Sequence, residues 1–227
     1  METRKEFAFL IAAGTILLLP ALLTQTEFSI FDFSNSGEVG DTIGGVTAPF
    51  VGLLGAFLVY KAFLVQVESN KIQLKNSEFQ IALKLIDDLE IKLSAKNRRY
   101  EFSVSEGESQ KIEAANFYEV IRFWNGIKTY REYYRGAIVQ SIRQVNFFKK
   151  FVMRSKNLSI TDKSLLMEKA GLAFGSDLSD AFYAMLMTQN SGLNGEEKQF
   201  YDYCRKFNDT TLQDLLYHTI DIEEFNT

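Results

Sequence analysis

Cysteine and histidine occur once each in this 227-residue chain, as Cys204 and His218. One cysteine cannot close an internal disulfide. One cysteine and one histidine fall short of the four nitrogen or sulfur ligands that a zinc site usually needs. Proline is nearly as scarce: only Pro20 and Pro49 are present, with none in the 178 residues that follow. Glycine is missing between Gly55 and Gly107. Because these two residues are the main helix breakers, their scarcity predicts long uninterrupted helices. Two catalytic signatures are also lacking, the G-x-x-x-x-G-K-[ST] phosphate loop and the G-x-S-x-G nucleophile elbow. The carboxylate pairs Asp87-Asp88 and Glu223-Glu224 lie in polar surroundings expected to be solvated. The expectation is a non-catalytic protein with no cofactor, no metal and no small-molecule substrate.

What is present is unevenly distributed. Hydrophobic residues make up 46% of the chain, yet the mean hydropathy is only -0.08. That average hides two apolar runs within residues 1–67. The first, Phe7 to Leu23, has no charge and is near the short limit for a spanning helix of about 20 residues. A cleaved signal peptide is the alternative reading, but Thr24-Gln25-Thr26 is not a small-x-small cleavage site. The second run, Ile43 to Val67, is interrupted only by Lys61 and Gln66. As a helix, Ile43 to Tyr60 covers roughly 27 Å, about the thickness of a bilayer core. Lys61 lies where its ammonium can snorkel to the headgroups. The spans are therefore placed at 7–23 and 43–65, joined by loop 24–42.

That loop holds Glu27, Asp32, Glu38 and Asp41 and no lysine or arginine, whereas Arg4 and Lys5 precede the first run and the other 23 basic residues lie at Lys61 or beyond. The positive-inside rule then puts both termini in the cytoplasm and the acidic loop outside, in a bacterial inner membrane. Within the loop, Gly37 and Gly40 suit tight turns, and Asp41 or Thr42 suits the N-cap of the second helix. Gly44, Ala48, Gly52 and Ala56 recur every four residues on one helix face. Such small-residue faces allow close backbone approach, within one hairpin or between copies as a homo-oligomer.

The stretch Phe31 to Phe50, FDFSNSGEVGDTIGGVTAPF, carries a resemblance. Phe33, Gly37, Gly40-Asp41-Thr42-Ile43-Gly44-Gly45, Thr47-Ala48-Pro49, and then Gln66 and Asn70 resemble the motif of the phage abortive-infection family of AbiC-like membrane proteins. Tyr130 to Val145 and Lys198 to Leu216 resemble that family's later helices. The short chain also looks like the two-transmembrane effectors that accompany retrons. This resemblance implies an anti-phage toxin acting on the lipid bilayer of its own cell. It further implies restraint by a partner, a reverse transcriptase with its non-coding RNA/DNA.

The rest of the chain reads as a helical cytoplasmic domain. Through 66–97, starting from Val65 just before it, Val65, Ile72, Phe79, Ile86 and Leu93 recur every seven residues, with Ala82 and Leu89 at matching positions. This predicts a helical stalk, either a coiled-coil seam or one face packed on a domain core. Residues 98–107 read as a loop and 108–157 as one or two helices. That second segment carries 10 basic and 4 acidic residues, whereas 158–227 carries 5 and 12. Its aromatics are interleaved with Arg122, Arg131, Arg135, Arg143, Lys149 and Lys150. Such a pattern fits a core with a solvated basic face, anionic lipid contact, or stacking with single-stranded nucleic acid. Pairing between this segment and the acidic region after it is also expected. Thr161-Asp162 and Ser176-Asp177 read as helix starts and 190–195 as a loop; 196–218 reads as a closing helix.

The fold class expected overall is all-α: a two-helix transmembrane hairpin over 1–67, the stalk over 66–97, and a cytoplasmic helical domain over 108–227. A membrane-tethered scaffold or sensor is the alternative function.

Overall fold

The structure, a computed structural model, describes residue 15 and residues 36–105, 107–188, 193 and 195–217. Apart from Thr15, the expected span 7–23 lies outside the described residues, as do loop residues 24–35 and His218. The chain divides into two units, Met1–Asn70 and Lys71–Thr227. One helix, α1 (Ser36–Ser94, 59 residues), contributes to both.

In the first unit, the described part of α1 is apolar and open. Leu53 is 69% exposed and Val59 70%. From Thr47 onward α1 is the one helix among the described residues long and apolar enough to cross a membrane, and none of its most apolar stretch is buried. Among the described residues α1 is already helical at Ser36, so Gly37 and Gly40 lie inside it rather than in turns, and neither Asp41 nor Thr42 is its cap. A contiguous helix with one small residue at Gly37 and another at Gly40 costs only about 1 kcal/mol each relative to alanine, which a long apolar helix tolerates. Pro49 also sits inside α1. It leaves the Gly45 carbonyl without its usual helical donor, a loss that membrane helices accept when neighbours compensate.

In the second unit, α1 changes character. Ala82, Ile86, Leu89 and Leu93 are buried at helical spacing, while Ile72 is half exposed. The seven-residue seam is thus a domain-core face in its second half. Polar contacts fix this part of the helix. Lys92 donates to Gln144 Oε1 at 2.6 Å, Lys75 pairs with Asp162 at 2.8 Å, and Ser155 and Asn157 donate to the Glu78 carboxylate. The Lys75 bond and the Ser159 hydroxyl hold the Asp162 carboxyl down at about 2.

After α1 the fold departs from all-α. β1 (Arg98–Ser105) and β2 (Glu108–Ala115) form an antiparallel hairpin, where a loop and then a helix were expected. Of the described residues, 80% are helical and 10% lie in strands. Alternation of apolar residues explains the strand: Tyr100 is buried, and Phe102 and Ile112 are partly buried against the core. Ser105 pairs with Glu108, leaving a two-residue loop in which Gly107 takes φ +90°, a conformation that side chains resist. Tyr134 ties the hairpin down, its hydroxyl donating to the Arg99 carbonyl at 2.9 Å.

The remaining elements are α2 (Phe117–Arg122), a 3-10 turn (Trp124–Gly126), α3 (Arg131–Arg154), α4 (Ile160–Ala170), α5 (Ser176–Met187), α6 (Gly195–Phe207) and α7 (Gln213–Tyr217). Asn116 with Glu119, and Ser159 with Asp162, form reciprocal capping boxes that start α2 and α4, each worth about 1 kcal/mol. The start signal at 161–162 is therefore real but lies two residues inside the helix. α5 does begin at Ser176, but without a side-chain cap, because a π-helical turn, Gly171–Gly175, carries α4 straight into it. A second π turn, Asn208–Leu212, joins α6 to α7. The first π turn packs closely on α7: a Cβ placed on Gly171 would sit 2.7 Å from the Leu215 carbonyl oxygen.

The aromatic segment divides between core and surface. Phe117, Tyr118, Trp124, Tyr134 and Phe148 are buried and Phe151 is partly buried against the core, whereas Phe123, Tyr130, Tyr133 and Phe147 are exposed. Acidic–basic pairing joins the same segment to the region after it, through Lys149 with Asp214, Arg131 with Glu197, and Arg135 with Glu196.

Cys204 is fully buried, and burial pushes its thiol up to about 12. Only the thiolate attacks disulfide reagents. Near pH 8 the folded protein is therefore expected to react about three orders of magnitude more slowly than the denatured chain. Equal rates in the two states would contradict the buried placement.

Candidate functional site

Two surfaces gather the expected site residues. The first is the small-residue face of α1. Gly44, Gly45, Ala48, Gly52 and Ala56 are exposed, as are Asp41 and Pro49. A Cβ added at Gly44, Gly45 or Gly52 meets no described atom within 4 Å. Nothing among the described residues therefore forces glycine there for local packing. Of Gly37, Gly40 and Thr42 only the helical backbone is described.

The second surface lies on α3 in the Lys71–Thr227 unit. Of six basic residues singled out by sequence, Arg131, Arg135 and Arg143 come together along α3. Arg122 is exposed on α2, Lys150 is exposed on α3, and Lys149 is engaged by Asp214. The geometry around Arg131 and Arg135 is unusual. Arg131 lies over the Trp124 ring at 5.2 Å, and Arg135 over the Phe200 ring at 5.4 Å. The two rings themselves meet at 5.3 Å. Cation–aromatic contacts of this kind contribute roughly 0.5–1 kcal/mol each and fix the planes of the guanidiniums.

These four side chains, with Glu132, Glu197 and Tyr201, line a notch of about 40 Å³. A polar chain leads away from it. Tyr201 donates to Asn125, and Asn125 donates to the Met185 carbonyl at 2.9 Å. Burial raises the Tyr201 phenol above its ordinary range, against the opposing effect of Arg131. A shallow groove of about 470 Å³ adjoins the notch and shares Glu132 and Arg135 with it. Gly136, Val139, Gln140, Arg143 and Glu196 complete its lining.

Sequence reasoning found the arginines and counted Trp124 among the aromatics between them, but missed Glu196, Glu197, Phe200 and Tyr201. The four-residue spacing of Arg131 and Arg135 showed a shared helix face. Nothing local to 196–201 pointed back across the sequence to that face. Among the described residues no cluster of histidine, cysteine, aspartate or glutamate could hold a metal ion.

Comparison with protein-family models, curated proteins and solved structures finds no match.

Proposed function

We propose that the chain is a non-catalytic membrane effector of anti-phage abortive infection that makes the bacterial inner membrane leaky when its restraint is lifted. The observation that carries the membrane part is the wholly unburied apolar stretch of α1 beginning at Thr47. In water, so much exposed apolar surface is strongly unfavourable, at roughly 25 cal/mol per Å². A bilayer removes that cost. The defence part rests on the likeness of Phe33 to Pro49 to the AbiC-like motif.

In this reading 7–23 and 43–65 are two spans, both termini are cytoplasmic, and loop 24–42 is periplasmic. Copies associate through the Gly44–Ala48–Gly52–Ala56 face. The inhibitory partner is a reverse transcriptase with its nucleic acid.

Expression of the chain alone should admit propidium iodide within the period of growth arrest. Gly52→Leu should abolish dye entry while leaving membrane recovery unchanged, since nothing described within 4 Å opposes a side chain there. Intact, dye-excluding cells with the parent protein in their membranes would refute the effector role. That result would favour a membrane-tethered scaffold, a reading supported by the arginine-lined groove on α3.

A further inference from the structure

We infer that the notch at Trp124, Arg131 and Arg135 is a carboxylate-binding site, and that the adjoining groove holds the peptide segment bearing that carboxylate. Three observations lead there. Trp124 is 2% exposed, it lines the notch, and its indole N–H has no hydrogen-bond partner among the described residues. A buried donor left unmade costs about 1–3 kcal/mol, so an acceptor entering this notch gains what the fold alone forgoes. Next, both guanidiniums have donor capacity to spare. Arg131 meets the Glu197 carboxylate at 3.7 Å; Arg135 meets the Glu132 and Glu196 carboxylates at 4.0 Å, and one of its nitrogens donates to the Glu196 carbonyl at 3.1 Å. The carboxylate separations exceed hydrogen-bond distance and those contacts are partly exposed, so replacing one of them sacrifices little and leaves the carbonyl bond in place. Finally, the stacked rings hold the guanidiniums in fixed planes, and a planar guanidinium recognises a planar carboxylate through two parallel bonds.

Charge balance selects among anions. Arg131, Arg135 and Arg143 are matched around the two cavities by Glu132, Glu196 and Glu197. A surface with three charges of each sign does not attract a phosphate backbone, whose affinity comes from accumulated positive charge. A single carboxylate exchanges for one glutamate without upsetting that balance. The volumes agree: about 40 Å³ admits one small polar group, and about 470 Å³ admits several residues' worth of flanking atoms. The occupant is an acidic peptide segment of a partner protein, and the site stands independently of any membrane activity.

Trp124 is the sole tryptophan of the chain, so its fluorescence reports on the notch alone. The experiment titrates the full chain in detergent micelles with a blocked peptide holding one central glutamate, at constant ionic strength. Its glutamine counterpart, and a peptide whose only carboxylate is its C-terminus, form the other two arms. A saturable change with the glutamate peptide is expected, at least about tenfold weaker with the glutamine peptide, given the strength of charge-assisted bonds. Saturation by the third peptide instead would assign the site to chain termini. Arg135→Gln should weaken binding at least about tenfold, and Arg135→Lys, which keeps the charge but loses the fork, should do so in part. Arg122→Gln, outside both cavities, should leave it unchanged. Circular dichroism and continued protection of Cys204 confirm that each variant is folded. An equal response to all three peptides, or full binding by a folded Arg135→Gln chain, would overturn the assignment, and so would the absence of any response.

Discussion

The double substitution Leu53→Arg with Leu58→Arg is expected to abolish insertion of the 43–65 segment. Both side chains are largely exposed on α1, so neither change disturbs packing among the described residues. Arginine near a bilayer centre costs about 2.5–3.5 kcal/mol, and each lost leucine forfeits about 0.5 kcal/mol. Together the two changes oppose insertion by roughly 6–8 kcal/mol, nearer the lower figure where the longer side chain snorkels outward. That corresponds to about four to six powers of ten in the partition equilibrium. The measurement is recovery in alkali-resistant membranes, made on the full chain and on a shortened chain starting at residue 36, which carries no other long apolar run. The control is Ile91→Arg, equally exposed at 67% but on the part of α1 belonging to the second unit. It should behave as the parent does. Undiminished recovery of the doubly substituted short chain would exclude this helix as a membrane span.

A second large effect is expected at Gly171. Its missing side chain makes room for the Leu215 carbonyl, which would lie 2.7 Å from any Cβ. The obstacle is backbone rather than a side chain able to rotate away. Gly171→Leu should therefore force apart the π turn and α7 at a cost of about 3 kcal/mol, the upper part of the usual range for overpacking. For a domain of ~150 residues this lowers the melting temperature by roughly 6–12 °C. Gly136 offers the contrast. It lies inside α3, and a Cβ there meets nothing within 4 Å. Gly136→Ala should raise stability by about 0.5–1 kcal/mol through helix propensity alone. Thermal melts followed by Trp124 fluorescence check both. A Gly171→Leu melt within about a degree of the parent would mean that the close approach of the two segments is wrong.

Periodicity made the helices legible and also set the limit on what could be read. The apolar run after Ile43 and the seven-residue repeat through Leu93 announced α1, and the burial of Ala82, Ile86, Leu89 and Leu93 follows that repeat. The hairpin was missed although its signal was present, in the alternation of Tyr100, Phe102 and Val104 followed by Gly107. Eight-residue strands rich in charge and serine carry little apolar pattern, and β2 offers only Ile112 and Ala115 to the interior. The π turns were illegible for a different reason. An extra residue within a helix rephases every position after it, so a fixed 3.6-residue count fails across Gly171–Gly175. The α3 arginines could be nominated individually, but what turns two of them into a site is the arrival of Phe200 and Tyr201 from far along the chain.

The order of these elements along the polypeptide also fixes an order in time. Ribosomes add about 5–20 residues each second, so Leu215 follows Val65 by roughly 8–30 s. Until Leu212 and Leu215 emerge, the interior of the second unit lacks residues that are fully enclosed in the finished fold. The greasy half of α1 leaves the ribosome long before then. In the proposed function, entry into lipid is thus decided while the remainder is still being made, and the later unit would complete its folding on a nascent chain already held at the membrane surface.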